Sequence, residues 1–216
     1  MKSKELIRQY EAGQRDFYGV GLSHANLRGV NLQGADLRRA HLVGSDLREA
    51  NLQGANLAAA DLVGANLAGA NLTEAILSTA DLSECNLTAA NMTRSQAIGA
   101  TLTGADLSRG ILREATLWRA VLLGADLAEA DLEGAIAIST VLLGARLTGA
   151  NLTRTNLREA IVVDVDWSGV CLRETILPGG ECADGDRVCG VRVCGPRGRS
   201  PYCKSVSLAE IGERIA

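Results

Sequence analysis

The chain has 216 residues, 47% of them apolar but only 3% aromatic, with a formal charge of −3. This balance describes a core-forming protein whose interior is built from Leu and Ala, and it gives no reason to expect a nucleic-acid or acidic-membrane partner. With no apolar run of about 18 residues there is no membrane span to expect, and without a secretory-type apolar stretch near the N-terminus the expected address is cytoplasmic.

In chain order, residues 3–12 place Leu6, Ile7 and Tyr10 at near-helical spacing, which predicts a short amphipathic capping helix within residues 1–16. From Phe17 to Leu177 an apolar centre then recurs every five residues, 33 times without insertion or deletion. Leu fills 27 of these centres, and the exceptions are Phe17, Met92, Ala97, Ala137, Val162 and Trp167. Two residues before the centre stands Ala in 21 of 33 cases, otherwise mostly Ser, Thr, Val, Cys or Gly. A large and a small apolar residue two apart, followed by mostly polar positions, fits neither the 3.6 period of a helix nor the 2.0 period of a long strand.

That pattern suits a square coil in which each pentapeptide makes one side and turns a corner. Four sides close a coil of twenty residues, and residues 17–177 make about eight coils. Backbone hydrogen bonds then run between coils, spacing them by about 4.8 Å in a solenoid roughly 39 Å long. Gly29, Gly34, Gly44, Gly54, Gly64 and Gly69 fit tight corners. Val165, Trp167 and Val170 enlarge the interior where the repeat stops.

Residues 178–216 are a separate Cys- and Gly-rich tail. Within it Ser207 and Glu210 form a capping box that opens a terminal helix, with Leu208, Ile211 and Ile215 on one side. Cys182, Cys189, Cys194 and Cys203 lie here, as reduced thiols, as disulfides or as a weak candidate zinc site lacking any C-x-x-C pair. Cys85 reads as an interior small residue and Cys171 as a surface substitution.

The stretch ADLRRAHLVGSDLREANLQGANLAAADL, residues 35–62, resembles the pentapeptide-repeat family, and the resemblance covers about three quarters of the chain. It implies an all-β fold, a right-handed quadrilateral β-helix of about eight coils with the central Leu and the preceding small residue inside. The Y-x-x-G-x-R-x-F stretch from Tyr10 to Phe17 is similar to the N-terminal cap of many cyanobacterial members, which include a regulator of heterocyst differentiation.

No catalytic constellation is present. His24 and His41 take outward positions, and Asp36, Asp46, Asp61, Asp81, Asp106, Asp126 and Asp131 fill the polar slot before a centre. A smooth face supplies no cleft for paired-acid chemistry, so the expectation is no enzyme, no cofactor and no small-molecule substrate. The resemblance also offers DNA mimicry, because some members inhibit or protect DNA gyrase with an acidic rod. Residues 17–177 carry 17 acidic and 12 basic side chains, whereas a duplex of that length bears on the order of twenty charges. Those members tend to have Phe at many centres, and here only Phe17 does; the acidic group Asp126, Glu129, Asp131 and Glu133 keeps the alternative open.

Residues twenty apart stack on one side of the coil. Asn26, Asp46, Asn66, Asn86, Asp106 and Asp126 form one polar column, and Asn31, Asn51, Asn71 and Asn91 form another, both read as hydrogen-bonding ladders. The other two sides turn apolar in the C-terminal half: Ile98, Trp118 and Ile138 follow their centres, with Ile76 and Ile136 before theirs. On the adjoining side Val121, Val141 and Ile161 precede their centres, and Leu123, Leu143 and Val163 follow them. Together they are expected to form an apolar area of several hundred Å², a size associated with contact. Three readings stand: the isoleucines brace the coil where Ala97 and Ala137 are small, the terminal helix covers the area, or another chain does. The last makes the protein a non-enzymatic scaffold or regulator, presenting a rigid face to a protein partner or to a second copy in a homodimer, with no membrane and no direct nucleic-acid contact.

Overall fold

The computed structural model of the chain describes residues 2–180, 182 and 183. The five-residue period follows from where the backbone groups go. On the side 36–40, the Asp36 N–H donates to Arg15 O at 2.7 Å in the coil before, and the Leu37 and Arg39 N–H groups donate to Asn56 O and Ala58 O in the coil after, at 2.7 and 3.0 Å. The Ala40 N–H closes a turn on Leu37 O at 3.0 Å. Parallel bridges join residues twenty apart, from Asp16↔Asp36 to Asn156↔Ile176, so four turns complete each coil of the solenoid.

Each side contributes a single bridging residue, because a corner interrupts the backbone before a strand can extend. The expected all-β character is thus a stack of one-residue bridges. The only helix among the described residues is α1, Ser3–Glu11.

Every fifth residue from Gly19 to Glu174 has φ between 53° and 71°, as a type II turn requires at its third position. Eighteen of these corners are not glycine, among them Arg39, Glu49 and Arg119. A side chain there costs about 1–2 kcal/mol, so the inter-coil hydrogen bonds and the core must outweigh that strain.

The interior is a column of leucines alternating with small residues. Leu37, Leu57, Leu77 and Ala35, Ala55, Ala75 are fully buried, as are Leu62, Leu67 and Leu72 on other sides. Each buried Leu contributes roughly 1.5–3 kcal/mol. Where the small inward residue is threonine, its hydroxyl donates to the carbonyl of a centre in the coil before: Thr140 to Leu117, Thr155 to Leu132 and Thr175 to Leu152, at 3.1, 2.7 and 2.6 Å, whereas the buried hydroxyls of Ser45 and Ser95 have no partner among the described residues. Cys85 does the same toward Leu62 O at 2.9 Å, and burial pushes its thiol up to about 12, where it stays protonated. Cys171 is half-buried, 3.4 Å from the Thr153 hydroxyl.

At the N-terminal end α1 lies across the first coil. Leu6 is fully buried and Ile7 packs against the core, while the Tyr10 hydroxyl donates to Gln33 O at 2.8 Å. Gly13, at φ 96°, turns the chain out of the helix. The Arg15 guanidinium stacks 3.8 Å from the Tyr10 ring and donates to Tyr10 O at 2.9 Å, and Phe17 is buried as the first centre. Each fixed residue of the Y-x-x-G-x-R-x-F stretch therefore has a physical task.

At the other end Val165 and Val170 are buried and Trp167 is half-buried against the core. The chain reverses through Pro178–Gly180, so that Cys182 bridges antiparallel to Ile176 and the Ala183 N–H donates to Thr175 O at 2.8 Å. Cys182 is exposed. The expected terminal helix at 207–216 and Cys189, Cys194 and Cys203 lie outside the described residues. Among the described residues no cluster of His, Cys, Asp or Glu could hold a metal ion, and no helix is long and apolar enough to cross a membrane.

Leu72 has no exposure and neighbours stacked above and below it. Leu72→Ala is expected to lower stability by about 3–5 kcal/mol, read as the shift in a urea unfolding curve.

Candidate protein-binding face

Four of the five N–H groups on a side are satisfied by the backbone. The fifth, on the residue after the centre, goes to the side chain of the residue before it. Asn66 Oδ1 accepts from the Ala68 N–H at 3.1 Å, Asp106 from Ser108 at 2.9 Å and Asp126 from Ala128 at 2.9 Å. The recurring Asp/Asn is therefore an Asx turn built into every standard side. The ladder expectation holds for the column of Asn31, where Asn51 and Asn71 each donate down it at 3.1 Å. On the column of Asn26 two carboxylates are instead held by arginines, Arg48 on Asp46 at 2.6 Å and Arg146 on Asp126 at 2.7 Å, and two by threonine hydroxyls, Thr88 on Asp106 and Thr148 on Asp166.

Those arginines and hydroxyls tune the acids. The Arg48 guanidinium holds the Asp46 carboxyl at about 2, Arg38 lowers that of Asp36, and hydrogen bonds from Ser168 lower that of Asp166. The acidic group considered for DNA mimicry is likewise occupied by cations. Asp126 pairs with Arg146, Glu129 with Arg109 and Asp131 with Arg113, and Glu133 lies 3.8 Å from Arg154. His24 and His41 are both exposed.

On one side of the solenoid the slot before the centre turns from Asp61, Asp81 and Thr101 to Val121, Val141 and Ile161. Leu123, Leu143 and Val163, which follow those centres, are 40%, 36% and 41% exposed, and Ile161 is 41% exposed. Val121 and Val141 are half-buried. The six residues occupy three successive coils of one side. On the preceding side Trp118 and Ile136 are 40% and 42% exposed, while Ile98 and Ile138 are half-buried. The corner column Arg119, Ser139 and Glu159 runs between the two groups. Ala97 and Ala137 are buried.

The sequence reading missed a cost. With Val121, Val141 and Ile161 in the slot, the N–H groups of Leu123, Leu143 and Val163 have no acceptor among the described residues. The signal was legible in the sequence, since the polar slot and its Asp/Asn are lost together, but the role of the slot was not. Two exposed apolar side chains also escaped it. Ile111, 39% exposed, interrupts the Asn column, and Tyr18, 52% exposed, lies 5.7 and 5.9 Å from the guanidinium groups of Arg38 and Arg39.

The family model described as pentapeptide repeats matches in eight copies, over residues 16–54, 50–88, 80–119, 112–142, 125–162 and 141–179. Among solved structures, HetL, a pentapeptide repeat protein involved in heterocyst differentiation regulation from the cyanobacterium Nostoc, is similar at 32% identity, over 85% of this chain and 100% of its own, with a TM-score of 0.44. A pentapeptide repeat protein from the thylakoid lumen of Arabidopsis thaliana is 32% identical over 52% of this chain and 68% of its own, with a TM-score of 0.38. QnrB1, a plasmid-mediated fluoroquinolone resistance protein, is 16% identical over 76% of this chain and 80% of its own, also at a TM-score of 0.38. No functionally curated protein sequence matches the chain.

Two outcomes follow from the slot chemistry. Val141→Asn restores an acceptor for the Leu143 N–H and is expected to stabilise the fold by about 0.5–1.5 kcal/mol, seen as a higher unfolding midpoint. Because Asp36, Asp46 and Asp166 titrate lower in the folded chain than in the unfolded one, their contribution is present above the ordinary carboxylate range and is lost as pH falls through it, that of Asp46 as pH approaches about 2. Thermal midpoints measured across that interval should fall, and less steeply in Asp46→Asn.

Proposed function

This chain belongs to the pentapeptide-repeat family, and from that premise we propose that it is a non-enzymatic cytoplasmic scaffold or regulator, which presents a rigid solenoid face to a protein partner. In this reading residues 17–177 form a right-handed four-sided β-helix, residues 1–16 cap it and residues 178–216 are a separate tail. The face is the apolar one of the C-terminal half, with Trp118, Leu123, Leu143 and Val163 as contact residues.

The observation that carries the proposal is the forfeited hydrogen bond. In three successive coils of one side the Asx acceptor is replaced by a β-branched apolar residue, which leaves the N–H groups of Leu123, Leu143 and Val163 without an acceptor among the described residues. Bracing of the interior explains nothing here, since the centre on the middle coil is an ordinary buried leucine, Leu142. A change that weakens the fold and exposes large apolar side chains is retained for contact. Folding has already ordered the face, so binding immobilises little backbone. Trp118, with the Arg119 guanidinium 4.7 Å from its ring, supplies an aromatic anchor at the edge. The DNA-mimic reading, a modulator of gyrase or another topoisomerase, has no comparable support, because the acidic group it relies on is paired with arginines.

The test is partner capture from the native lysate. Trp118→Asp and Leu143→Asp are expected to fold with unchanged circular dichroism and to weaken capture by roughly thirtyfold or more, the effect of losing a central contact. Capture profiles identical to the parent chain would remove the proposal.

A further inference from the structure

The same face carries a pattern that specifies its occupant. At the corners of the solenoid, arginines and glutamates one coil apart pair along the column: Arg94 with Glu114 at 2.8 Å, Arg109 with Glu129 at 3.1 Å and Arg154 with Glu174 at 2.9 Å. The corner beside the apolar face breaks this rule. Arg119 and Glu159 stand two coils apart, a separation of about 10 Å, and form no ion pair with each other. Ser139 lies between them and donates to Glu159 at 2.7 Å. Arg119 rests on Trp118 and has no carboxylate partner among the described residues.

We propose that the occupant of this face is a second copy of the chain, packed antiparallel about a two-fold axis that crosses the face along the coil of Val141 and Leu143. This deepens the scaffold reading and rests on it. Such an axis reverses the order of the coils and keeps each column opposite itself. Arg119 then meets Glu159 of the second copy, and Glu159 meets its Arg119, two symmetric ion pairs at the rim. The apolar rows also match in size: Val121 faces Ile161 of the second copy, Leu123 faces its Val163, and Leu143 faces itself. A two-fold axis along the solenoid would instead set Arg119 against Gly124, with no charge to meet.

The coil spacing supports the same occupant. Side chains on this face recur every 4.8 Å or so, and a second solenoid repeats at the same interval, so the two stay in register over all three rows. A helix, whose neighbouring side chains are separated by other distances, drifts out of step. The overlap spans the three coils from Val121 to Ile161, less than a standard specific interface buries. A dimer held by three rows and two rim pairs is expected to be weak.

Sedimentation equilibrium of the full chain, from about 1 to 200 µM, tests this directly. The expected result is a monomer–dimer equilibrium, weakened tenfold or more by Arg119→Glu and separately by Glu159→Arg, and restored when both reversals are combined in one chain. Glu159→Arg leaves the Arg119–Trp118 contact in place, so its effect reports the rim pair alone, and circular dichroism confirms that each variant is folded. A monomer across the whole range overturns the proposal, as do single reversals without effect or a double reversal that fails to restore association. A monomer that still captures a lysate partner through Trp118 and Leu143 sinks the second copy and leaves the scaffold reading standing. A dimer with charge-reversal behaviour as expected, alongside lysate capture indifferent to those residues, supports the second copy and removes capture of other proteins.

Discussion

One backbone N–H per pentapeptide governs the outside of this molecule. The coil geometry satisfies four of the five such groups on each side and leaves the one after the centre to a side chain. A short oxygen-bearing residue two positions earlier is the local solution, which is why Asp and Asn recur with such regularity. Every departure from that choice leaves a backbone donor to water or to a neighbour. The surface of the solenoid is therefore a record of where the chain kept its own hydrogen bonds and where it gave them up.

The departures are not scattered evenly. On the sides of Asn31 and Asn26 the slot stays mostly polar, and arginines bridge from coil to coil. The Asx acceptor is lost from Ile76 to Ile136 on one side and from Thr101 to Ile161 on the next, and on the latter the slot and the residues beyond the centres become large and apolar together from Val121 onward. A rigid scaffold of this type makes the exchange tolerable, because the leucine column and the paired backbone of adjoining coils hold the side in place. Exposed apolar surface is thus concentrated where a backbone hydrogen bond is given up, on a frame held by the coils on either side.

Much of this was legible in the sequence. The twenty-residue coil follows from the unbroken spacing of centres from Phe17 to Leu177, since only an interior position tolerates no insertion over so long a run. The apolar columns were legible for the same reason, as residues twenty apart must stack. The corners were legible only in part. Gly34 and Gly44 announce a left-handed conformation, but Arg39 and Glu49 adopt it as well, held there by inter-coil bonds that a propensity scale does not contain. The purpose of the Asp/Asn slot was hidden, because an exposed polar residue in a repeat looks like ordinary surface until its oxygen is seen on a backbone N–H. Ile111 was hidden because it stands alone among Asn and Asp in its column, and Tyr18 because four coils separate it from Ile98 in the column that they share.

The uniform span of the inter-coil bonds also makes assembly a matter of neighbouring coils. Each coil rests on the one before it through partners about twenty residues away, and no described bridge between parallel coils reaches further. Only the first coil lacks a predecessor, and there α1, closed by Gly13 and locked by Tyr10 and Arg15, offers a finished surface. The capped end comes first off the ribosome. A coil formed there gives the next stretch of twenty residues a surface to lie on, and the apolar face of the C-terminal half belongs to the stretch that a growing chain reaches late.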